Sequence, residues 1–579
     1  MYKSIPEVFF ETAKKFPNKT ALLYKKEGVY FPIKYKEFAK RVIVVAGAFK
    51  SLGLEKGDKV AILSENRPEW AITDLATMFL GGVVVPLHTT FNPRAICMVL
   101  NHCKAKILVV SNEEFLNKVL LGQKDLKHLK KIVYLGKLTV TQKEFLTSKV
   151  LSWKAILSLN QDKACEAIFL DPDECCSIIY TSGTTGHPKG VVLTHRNFLS
   201  DAEAVNEVTP VEKGDIFLSF LPLSHVFERS TGYYLPLCYG ATIAYAESTK
   251  DLPKNLKEIK PTVMISVPRV FEKFHDTIWD KVNKSSPLKK EIFKWALKQK
   301  KHTLRYKIGD YLAFKKVRQQ MGGRLRLAIS GGASLNENVG RFFSKIGVTI
   351  LEGYGLTETS SVVSGNREHE VRFGTVGKVL PGVKVRITEN KEILIKGPNI
   401  FGEYFKNKEQ TKLVFDKEGW FCTGDMGFFD KQGYLTIIGR KKEMIVTSGG
   451  KNVWPEPVEN FLNNDKFIAQ SIVIGDKRKF ISALIIPDWQ EIEIYLKEQN
   501  LPLQEHDKLI KDPVLVDIFQ KRIDEKINPN LSEVEKIKKF RLLPQEFSQD
   551  QDELTPTLKL RRHIIDNHYQ KTIESIYAD

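Results

Sequence analysis

The residues best suited to chemistry occupy one short stretch, YTSGTTGHPKG, from Tyr180 to Gly190. It follows a mostly apolar run, CCSIIY, and combines glycines, hydroxyl side chains and a lysine. Backbone amides, hydroxyl groups and an ammonium group are donors suited to phosphate oxygens. We therefore predict a flexible hairpin loop that wraps a polyphosphate. The residues expected to contact it are Thr181, Ser182, Gly183, Thr184, Thr185, Gly186 and Lys189.

A P-loop is the first alternative for such a stretch. That motif needs G-x-x-x-x-G-K-[ST] between a strand and a helix, so that the amino end of the helix faces the phosphates. Here Lys189 is followed by Gly190 and then by the β-like run VVLT, and a helical pattern starts only near His195. The pattern therefore predicts strand, polar loop and strand.

The elements that must position this loop alternate along the first 440 residues. Helical patterns are interleaved with short apolar runs at 58–64, 82–87, 106–111, 177–180, 191–194, 261–267 and 326–330. Such alternation predicts an α/β protein with mostly parallel sheets. Beyond residue 444 the segments become shorter and very basic, which predicts a second, smaller α+β domain. Three consecutive cations, Arg440 to Lys442, would repel one another in a core, so we place the domains at 1–440 and 441–579.

Length, composition and charge exclude some classes of protein. The chain of 579 residues exceeds the usual size of one domain, and 42% hydrophobic with 27% charged residues is ordinary for a folded protein. A net charge of +19 favours anionic ligands or surfaces, although lysines spread over a solvated surface would give the same total.

Cysteine usage and hydropathy favour a cytoplasmic protein. The seven cysteines form no CxxC pair, which predicts reduced thiols. The amino terminus lacks a secretory apolar region and predicts an amphipathic helix from Ser4 to Pro6 onward, and no uncharged apolar run reaches ~18 residues. The pattern of residues 280–320 predicts one or two basic amphipathic helices. We favour a surface helical hairpin with its apolar face on the protein body over a segment that lies on a membrane. A peripheral contact of the protein with the inner face of an anionic membrane stays an open alternative.

Seven further motifs identify a family. They are LPLSHVFER (221–229), SVPRVFEK (266–273), ISGGASL (329–335), GYGLTET (353–359), GWFCTGD (419–425), GYLTIIGRKKEMIVTSGGKNVWPEPVE (433–459) and LTPTLKLRR (554–562). In this order and spacing the chain resembles the acyl-adenylate-forming superfamily, and within it the long-chain fatty acyl-CoA synthetases. The resemblance runs from KVAILSENRPEW (59–70) to the last helix. It implies a large amino-terminal adenylate-forming domain and a small, mobile carboxyl-terminal domain.

The resemblance also implies a two-step ligase. A carboxylate is a poor electrophile, and linking it to the α-phosphate of ATP gives a mixed anhydride that a thiol can attack. Each step needs charge stabilisation by fixed groups. The implied reaction joins a fatty acid to CoA, uses ATP and Mg²⁺, and releases AMP and pyrophosphate.

The same resemblance assigns the nucleotide site. The residues implied for adenine, ribose and α-phosphate are Gly331, Gly332, Ala333, Tyr354, Gly355, Thr357, Asp425 and Arg440. Glu358 would ligate Mg²⁺, a hard cation suited to one carboxylate plus phosphate oxygens. Each has an ordinary alternative: Asp425 as a turn residue, Glu358 as a carboxylate at a helix start, Tyr354 as a core aromatic.

The remaining assignments concern catalysis and acyl transfer. Lys559 would bridge the incoming carboxylate and the α-phosphate, with a surface lysine as the alternative. Lys442 matches the hinge about which the small domain pivots. His225 would line the acyl-carboxylate side of the pocket unless it is a core histidine. Ser448, Gly449 and Gly450 would line the tunnel for the pantetheine arm of CoA.

Three alternative functions stay open at this point. A ligase that loads an acyl carrier protein would use the basic small domain to meet an acidic partner. A nucleic-acid-binding protein or P-loop ATPase would explain charge and glycines, but the GK[ST] ending is missing and we find no nucleic-acid-binding motif. A non-catalytic lipid-binding relative is disfavoured because Glu358, Asp425 and Lys559 are present. The sequence fixes neither acyl chain length nor oligomeric state.

Overall fold

The computed structural model describes residues 3–122, 125–136, 149–159, 168–181, 188–548, 551–555 and 560–578. The chain divides into two compact units. The first comprises Met1–Val385, Ile395–Phe421 and Asp430–Leu435, and the second comprises Arg386–Leu394, Cys422–Phe429 and Thr436–Asp579. The second unit therefore takes in two stretches that precede residue 440. The domain limits 1–440 and 441–579 stay a prediction.

Two large sheets form the framework of the first unit. The seven-stranded sheet has the spatial order β7 (Val150–Ser152), β6 (Lys131–Tyr134), β5 (Ile107–Val110), β3 (Lys59–Leu63), β4 (Val83–Leu87), β8 (Cys175–Thr181) and β9 (Lys189–Thr194). The nine-stranded sheet has the order β16 (Lys378–Val379), β15 (Ser364–Gly365), β14 (Thr349–Tyr354), β13 (Leu327–Ser330), β12 (Val263–Ser266), β10 (Ile216–Ser219), β11 (Thr242–Tyr245), β1 (Thr20–Lys26) and β2 (Val29–Lys34). Neighbouring strands from β3 to β8 and from β10 to β14 pair in parallel. The predicted α/β class with mostly parallel sheets is confirmed, and each of the seven apolar runs either contains a strand or lies within one.

Helices supply most of the crossovers that parallel strands require. Those of the first unit are Ile5–Lys15, Tyr35–Ser51, Pro68–Phe79, Pro93–Cys103, Glu113–Leu121, Trp153–Ser158, His195–Val208, Leu235–Cys238, Leu252–Ile259, Pro268–Asn283, Pro287–Lys298, Leu304–Gly309, Lys315–Gln320, Glu337–Lys345 and Lys408–Val414. The first begins where predicted, because the Ser4 hydroxyl accepts from the Glu7 amide while the Glu7 carboxylate accepts from the Ser4 amide. Among the described residues no helix has both the length and the hydropathy to cross a membrane.

Residues 280–320 contain more helices than the one or two predicted. Pro287 starts a new helix after Asn283, and a break at residues 299–303 separates it from Leu304–Gly309. That break contains His302 with φ of 68° and ends at Thr303, whose hydroxyl accepts from the Tyr306 amide at 3.2 Å. Asp310–Phe314 then forms a π-helical turn that continues into Lys315–Gln320. Proline and capping residues, which an amphipathic pattern does not weigh, set these limits.

The second unit is an α+β unit. Most of a four-stranded sheet belongs to it, in the order β17 (Lys384–Ile387), β18 (Glu392–Lys396), β19 (Phe421–Phe429) and β20 (Leu435–Arg440). A hairpin of β21 (Ile445–Val446) and β22 (Asn452–Val453) and a sheet of β23 (Ile468–Ile474), β24 (Ile481–Pro487) and β25 (Ile537–Leu542) follow. Its helices are Pro455–Asn463, Trp489–Glu498, His506–Leu509, Pro513–Arg522, Arg562–His568 and Gln570–Tyr577.

Candidate active site

Four of the predicted motifs lie at one edge of the nine-stranded sheet. Strands β10, β12, β13 and β14 run parallel, so their carboxyl ends point the same way. They lead into LPLSHVFER, SVPRVFEK, ISGGASL and GYGLTET respectively. Ligands of open α/β sheets bind outside the carboxyl ends of the strands. This edge is therefore the first candidate for a binding site in the first unit.

Gly331 brings two of these loops together. Its amide donates to the Ser266 carbonyl at 3.2 Å, and a Cβ at this position would lie 3.0 Å from the Phe227 ring. A larger residue would therefore displace Phe227, which belongs to LPLSHVFER. Gly332 and Ala333 follow as exposed residues, and Gly332 has φ of +84°. Of the three residues assigned to adenine, Gly331 is thus buried against an aromatic ring, and Gly332 and Ala333 form the exposed turn that follows it.

The GYGLTET loop is held in a strained conformation. A Cβ on Gly355 would lie 1.4 Å from the Ser361 carbonyl oxygen, so only glycine fits there. Ser360 and Ser361 have φ of 58° and 130°, values that residues with side chains adopt rarely. The Asn399 amide donates to carbonyls on both sides of these serines, each at 3.1 Å. Such strain persists only where surrounding contacts enforce it, and it clusters at functional sites.

Thr357 and Glu358 lie at the start of this strained loop. Both are half-buried in the 3₁₀ turn Thr357–Thr359, and Tyr354 ends β14 just before it. The Phe401 amide donates to the Glu358 carbonyl at 2.9 Å, which fixes the turn against a second loop. Glu358 does lie in the first turn of a helical segment, as its ordinary alternative requires, but that segment has only three residues.

Tyr404 connects Glu358 to the predicted phosphate loop. Its hydroxyl donates to the Glu358 carboxylate at 2.8 Å, and its ring centroid lies 5.3 Å from the Lys189 ammonium. Lys189 also donates to the Gln410 side chain at 2.7 Å. The lysine assigned to phosphate and the carboxylate assigned to Mg²⁺ are therefore held against the same ring. Sequence reasoning assigned no role to Tyr404, because the contact joins residues 46 positions apart.

The predicted phosphate loop is carried by an antiparallel hairpin. Strands β8 and β9 pair so that Thr181 lies opposite Lys189 at the open end of the described ladder. Both residues are half-buried, and the predicted strand, loop and strand order is confirmed for the two strands. The remaining predicted contacts, Ser182, Gly183, Thr184, Thr185 and Gly186, lie outside the described residues.

A pair of histidines lies beside LPLSHVFER. His225 is half-buried, and its Nδ1 accepts from the Phe227 amide at 3.3 Å. The ring of His88, which follows β4, lies 6.5 Å away centroid to centroid, and its Nδ1 is 2.9 Å from the Ser224 hydroxyl. Burial, and next to it the neighbouring His225, lower the pKa of His88 to about 3. His88 is therefore uncharged at neutral pH, and sequence reasoning missed it because it belongs to the other sheet.

Arg229 ties the segment that follows β10 to the seven-stranded sheet and to the helix Pro68–Phe79. It is fully buried and paired with Asp74 of the helix Pro68–Phe79, which is also fully buried. Its Nη1 donates to the Ser177 hydroxyl on β8 at 2.6 Å, and its Nε donates to the Tyr234 hydroxyl at 3.0 Å. The guanidinium also lies 5.4 Å from the centroid of the Trp70 ring. This cluster fixes the end of LPLSHVFER against the strand that leads to the phosphate loop.

Glu228 is a second buried acid next to this pair. Burial raises its pKa to about 8, although the nearby Ser219 hydroxyl opposes part of that shift. Neither carboxyl oxygen has a hydrogen-bond partner among the described residues. A Cβ on Gly232 would lie 2.7 Å from this carboxyl group, so glycine leaves room for it. At neutral pH the folded protein therefore holds Glu228 in its protonated form.

Replacing Glu228 with glutamine should stabilise the protein in a pH-dependent way. The pKa of this carboxyl group is higher in the folded state than in the unfolded state, so the unfolded state loses its proton first as the pH rises above about 4.5. The gain should be near zero below pH 4.5 and on the order of 3 kcal/mol at pH 7. Urea unfolding at pH 4.5 and 7 measures it. An equal change at both values would contradict a buried neutral acid.

The second unit holds the residues assigned to ribose. Asp425 is 3% exposed in the middle of β19, so the alternative of a turn residue is wrong. The Arg440 Nε at the end of β20 lies 3.0 Å from the Asp425 carboxylate, and the Arg440 side chain is 44% exposed. Lys441 pairs with Glu392 at 2.7 Å. Lys442, assigned to the hinge, is exposed in the 3₁₀ turn Lys441–Glu443.

The residues assigned to CoA form the tip of a hairpin. Ser448, Gly449 and Gly450 are exposed between β21 and β22, and Gly450 has φ of +71°. The Thr447 amide donates to the Lys451 carbonyl at 3.0 Å and closes the turn. Lys559 lies outside the described residues, and Leu554 and Leu560, on either side of it, form an antiparallel bridge.

The donor set at Glu358 fits Mg²⁺ bound together with ATP. In the described part of the chain no three His, Cys, Asp or Glu side chains cluster as a preformed metal site. Mg²⁺ is commonly held by one or two carboxylates plus substrate phosphates and water. A single carboxylate oriented by Tyr404, near the lysine assigned to phosphate, matches that mode.

Two mostly parallel sheets, one of which carries the predicted nucleotide-binding motifs at its edge, together with an α+β unit, are the architecture that the resemblance to acyl-adenylate-forming enzymes implies. The protein-family model described as AMP-binding enzyme matches residues 9–405. A second family model, described as AMP-binding enzyme C-terminal domain, matches residues 442–579. This chain belongs to the AMP-binding enzyme family.

Full-length relatives and solved structures agree with this assignment. The long-chain-fatty-acid–CoA ligase FadD15 of Mycobacterium bovis is 33% identical over 598 aligned residues, covering 100% of this chain and 97% of that protein. The long-chain-fatty-acid–CoA ligase ACSBG2 of Xenopus laevis is 31% identical, covering 100% and 84%. The adenylation domain of a carboxylate reductase from Mycobacterium chelonae has a TM-score of 0.81 at 21% identity, covering 100% of this chain and 91% of that domain. The anthranilate CoA ligase AuaEII with anthranoyl-AMP has a TM-score of 0.75 at 21% identity, covering 98% and 97%. The two structures establish the fold alone.

Proposed function

We propose that this protein is an ATP-dependent long-chain fatty acid–CoA ligase. It activates a fatty acid as acyl-AMP and transfers the acyl group to CoA, releasing AMP and pyrophosphate. The observation that carries the proposal is similarity over the whole chain, at 33% and 31% identity, to proteins named long-chain-fatty-acid–CoA ligases. Those names give CoA as the acyl acceptor, which favours CoA over an acyl carrier protein.

The first unit would bind the phosphates and the fatty acid carboxylate. Lys189 and the hairpin loop would hold the β- and γ-phosphates, and Thr357 would contact the α-phosphate. Glu358, held by Tyr404, would ligate Mg²⁺, which when bound offsets phosphate charge. The neutral His88 adds no positive charge beside its neighbour His225. His225 would face the acyl carboxylate.

The second unit would bind the ribose and exchange roles between the two steps. Asp425 would accept hydrogen bonds from the ribose hydroxyls, with Arg440 beside it. Lys559 would serve adenylation, and the turn at Ser448 to Gly450 would serve CoA. The exposed Lys442 fits a hinge between the two arrangements, because hinges need backbone freedom and no buried side chain.

Isotope exchange between pyrophosphate and ATP tests the proposal. Exchange should depend on Mg²⁺ and on a long-chain fatty acid, and adding CoA should give acyl-CoA and AMP. Replacing CoA with an acyl carrier protein in the same assay should give no product. Formation of ADP, or fatty acid transfer to the carrier protein only, would contradict the proposed ligase.

Replacing Asp425 with asparagine should weaken ATP binding by about 1.5 to 3 kcal/mol, since one charge-assisted hydrogen bond to the ribose is lost. Asparagine keeps the shape of the side chain, so folding should persist. Calorimetric titration with ATP measures the affinity. The control is Asp488→Asn in the same unit, where the carboxylate accepts from the Glu491 amide at a helix start. Unchanged ATP affinity in folded Asp425→Asn would remove its ribose role.

A further inference from the structure

The helices between residues 284 and 320 carry an exposed apolar stripe. Leu304, Ile308, Tyr311 and Leu312 are 74%, 47%, 68% and 46% exposed. Their spacing of i, i+4, i+7 and i+8 places them on one face of the continuous helical run 304–320. Large apolar side chains scattered singly need no explanation, but an aligned set is typical of a contact surface.

The body-facing side of the same run is separate from this stripe. Phe314 is fully buried and packs with Phe293, their ring centroids 5.8 Å apart, and Gly309 is buried. A Cβ on Gly309 would lie 2.8 Å from the Ala296 Cβ, so this helix already packs closely against Pro287–Lys298. The stripe is therefore left over after the helix has packed onto the protein, in addition to the apolar face on the body that the surface-hairpin interpretation expects.

Positive charge concentrates on the same segment. Residues 284–320 contain twelve lysines and arginines and two acids, a net +10 of the chain's +19. Both acids have partners inside the segment, since Asp310 pairs with Arg318 and Glu291 lies 3.4 Å from Lys294. Exposed cations close to the stripe in sequence include Lys298, Arg305, Lys307, Lys315 and Lys316. In the described parts of the chain none of these five has an acid within salt-bridge distance.

We propose that this face, the stripe together with its five neighbouring cations, lies on an anionic lipid membrane. An apolar helical face flanked by cations inserts at the boundary between headgroups and acyl chains, and its cations bind anionic headgroups. A second copy of this chain fits less well, because two faces with this excess of positive charge would repel each other. The purpose of this membrane contact rests on the proposed function. Long-chain fatty acids partition into membranes, and this face would place the enzyme there.

Vesicle sedimentation tests the face without relying on catalysis. The full chain, with no ATP or fatty acid present, is mixed with vesicles of neutral phosphatidylcholine or with vesicles containing phosphatidylglycerol. Wild type should bind the anionic vesicles and lose most binding in about 0.5 M salt, where the Debye length is only a few ångströms. No binding to anionic vesicles at low salt would overturn the proposal, whatever the ligase assay gives.

Two triple variants separate apolar contact from charge. Leu304→Ser with Ile308→Ser and Leu312→Ser should lower partitioning into anionic vesicles by at least about 100-fold. Lys307→Gln with Lys315→Gln and Lys316→Gln should lower it by roughly 100-fold, since each cation near such a surface contributes about a factor of five. Full binding by the serine variant would mean that the lysines act alone and would overturn insertion of the stripe.

Matched controls use exposed residues elsewhere. Leu121, Leu413 and Leu503, which are 80%, 73% and 46% exposed, are changed to serine, and the exposed Lys36, Lys40 and Lys50 are changed to glutamine. Both controls should bind vesicles as wild type does, and equal loss in the controls would overturn the assignment to this face. Light scattering tests the alternative that a second copy of the chain covers this face. The face would be a self-association surface if wild type is a dimer, the serine variant is a monomer and neither binds vesicles.

Activity on two forms of the substrate links the face to the proposed function. All variants should keep wild-type activity on fatty acid delivered in water-soluble form on albumin, because the face lies outside the assigned site. On fatty acid embedded in anionic vesicles, the two face variants should lose at least tenfold. Equal activity of wild type and both face variants on vesicle-bound substrate would overturn the link. Absence of activity in wild type on either form would contradict the ligase and leave the vesicle binding result standing.

Discussion

Replacing Lys559 with alanine should reduce formation of acyl-AMP from ATP and fatty acid by about 100-fold or more. The fatty acid carboxylate and the α-phosphate are both anions, and a fixed cation between them lowers the energy of the transition state that joins them. If the second unit presents Lys559 only for adenylation, the same variant should still convert preformed acyl-AMP and CoA into thioester at a substantial fraction of the wild-type rate. Single-turnover assays of each half-reaction measure the two rates separately.

A hinge variant and a lysine control complete this test. Lys442→Pro should show the opposite bias, because proline fixes φ near −65° and would hold the hinge in one arrangement, so that acyl-AMP forms but is transferred poorly. Lys571→Ala removes an exposed lysine from the last helix and should leave both steps unchanged. Equal loss of both half-reactions in Lys559→Ala, or loss of neither, would contradict either the alternation of domains or the assignment of Lys559.

The fold of the first unit could be predicted from sequence because its signals are local. Buried parallel strands appear in a sequence as short apolar runs. KILVVS and PTVMISV are two such runs, and each of these two contains a strand. The strand order is a different matter. Strand β4 pairs with β8, although β5, β6 and β7 lie between them in the chain. Such pairings depend on long-range contacts that no periodicity encodes.

The extent of the second unit shows the same limit. The change in texture after residue 444 indicated a second α+β region, but the unit also includes Arg386–Leu394 and Cys422–Phe429. These stretches carry parts of β18 and β19, and β19 holds the buried Asp425. A change in composition along the chain shows where the last continuous part of a unit begins. It cannot show that strands from earlier in the chain belong to the same unit.

The candidate site divides in the same way. Residues in contiguous motifs, such as Gly331, Thr357 and Glu358, were found because each motif follows one strand of the sheet edge. Tyr404 and His88 were missed, since each reaches the site through a contact more than 40 residues away in the chain. A single tyrosine in a connecting segment, or a single histidine after a strand, carries no distinctive pattern by itself.

The pair of Arg229 and Asp74 gives the largest expected effect on stability. Arg229→Met would leave the Asp74 carboxylate fully buried without its guanidinium partner, although the Tyr234 hydroxyl still donates to it, and would remove the donor to Ser177. Breaking a buried ion pair by removing one partner costs about 3 to 5 kcal/mol. The urea concentration at which the first unit unfolds, followed by tryptophan fluorescence because Trp70 lies against the guanidinium, should fall accordingly.

A second pair of variants separates the charge from the geometry. Arg229→Met combined with Asp74→Leu removes both charges and should recover much of the lost stability, because an apolar pair of similar volume needs no buried counter-charge. Arg229→Lys keeps the charge but cannot donate to Asp74, Ser177 and Tyr234 at once, so it should remain well below wild type. A double variant no more stable than Arg229→Met would mean that the unpaired carboxylate is not the source of the loss. A lysine variant as stable as wild type would mean that charge alone, and not hydrogen bonding to Asp74, Ser177 and Tyr234, holds this part of the first unit together.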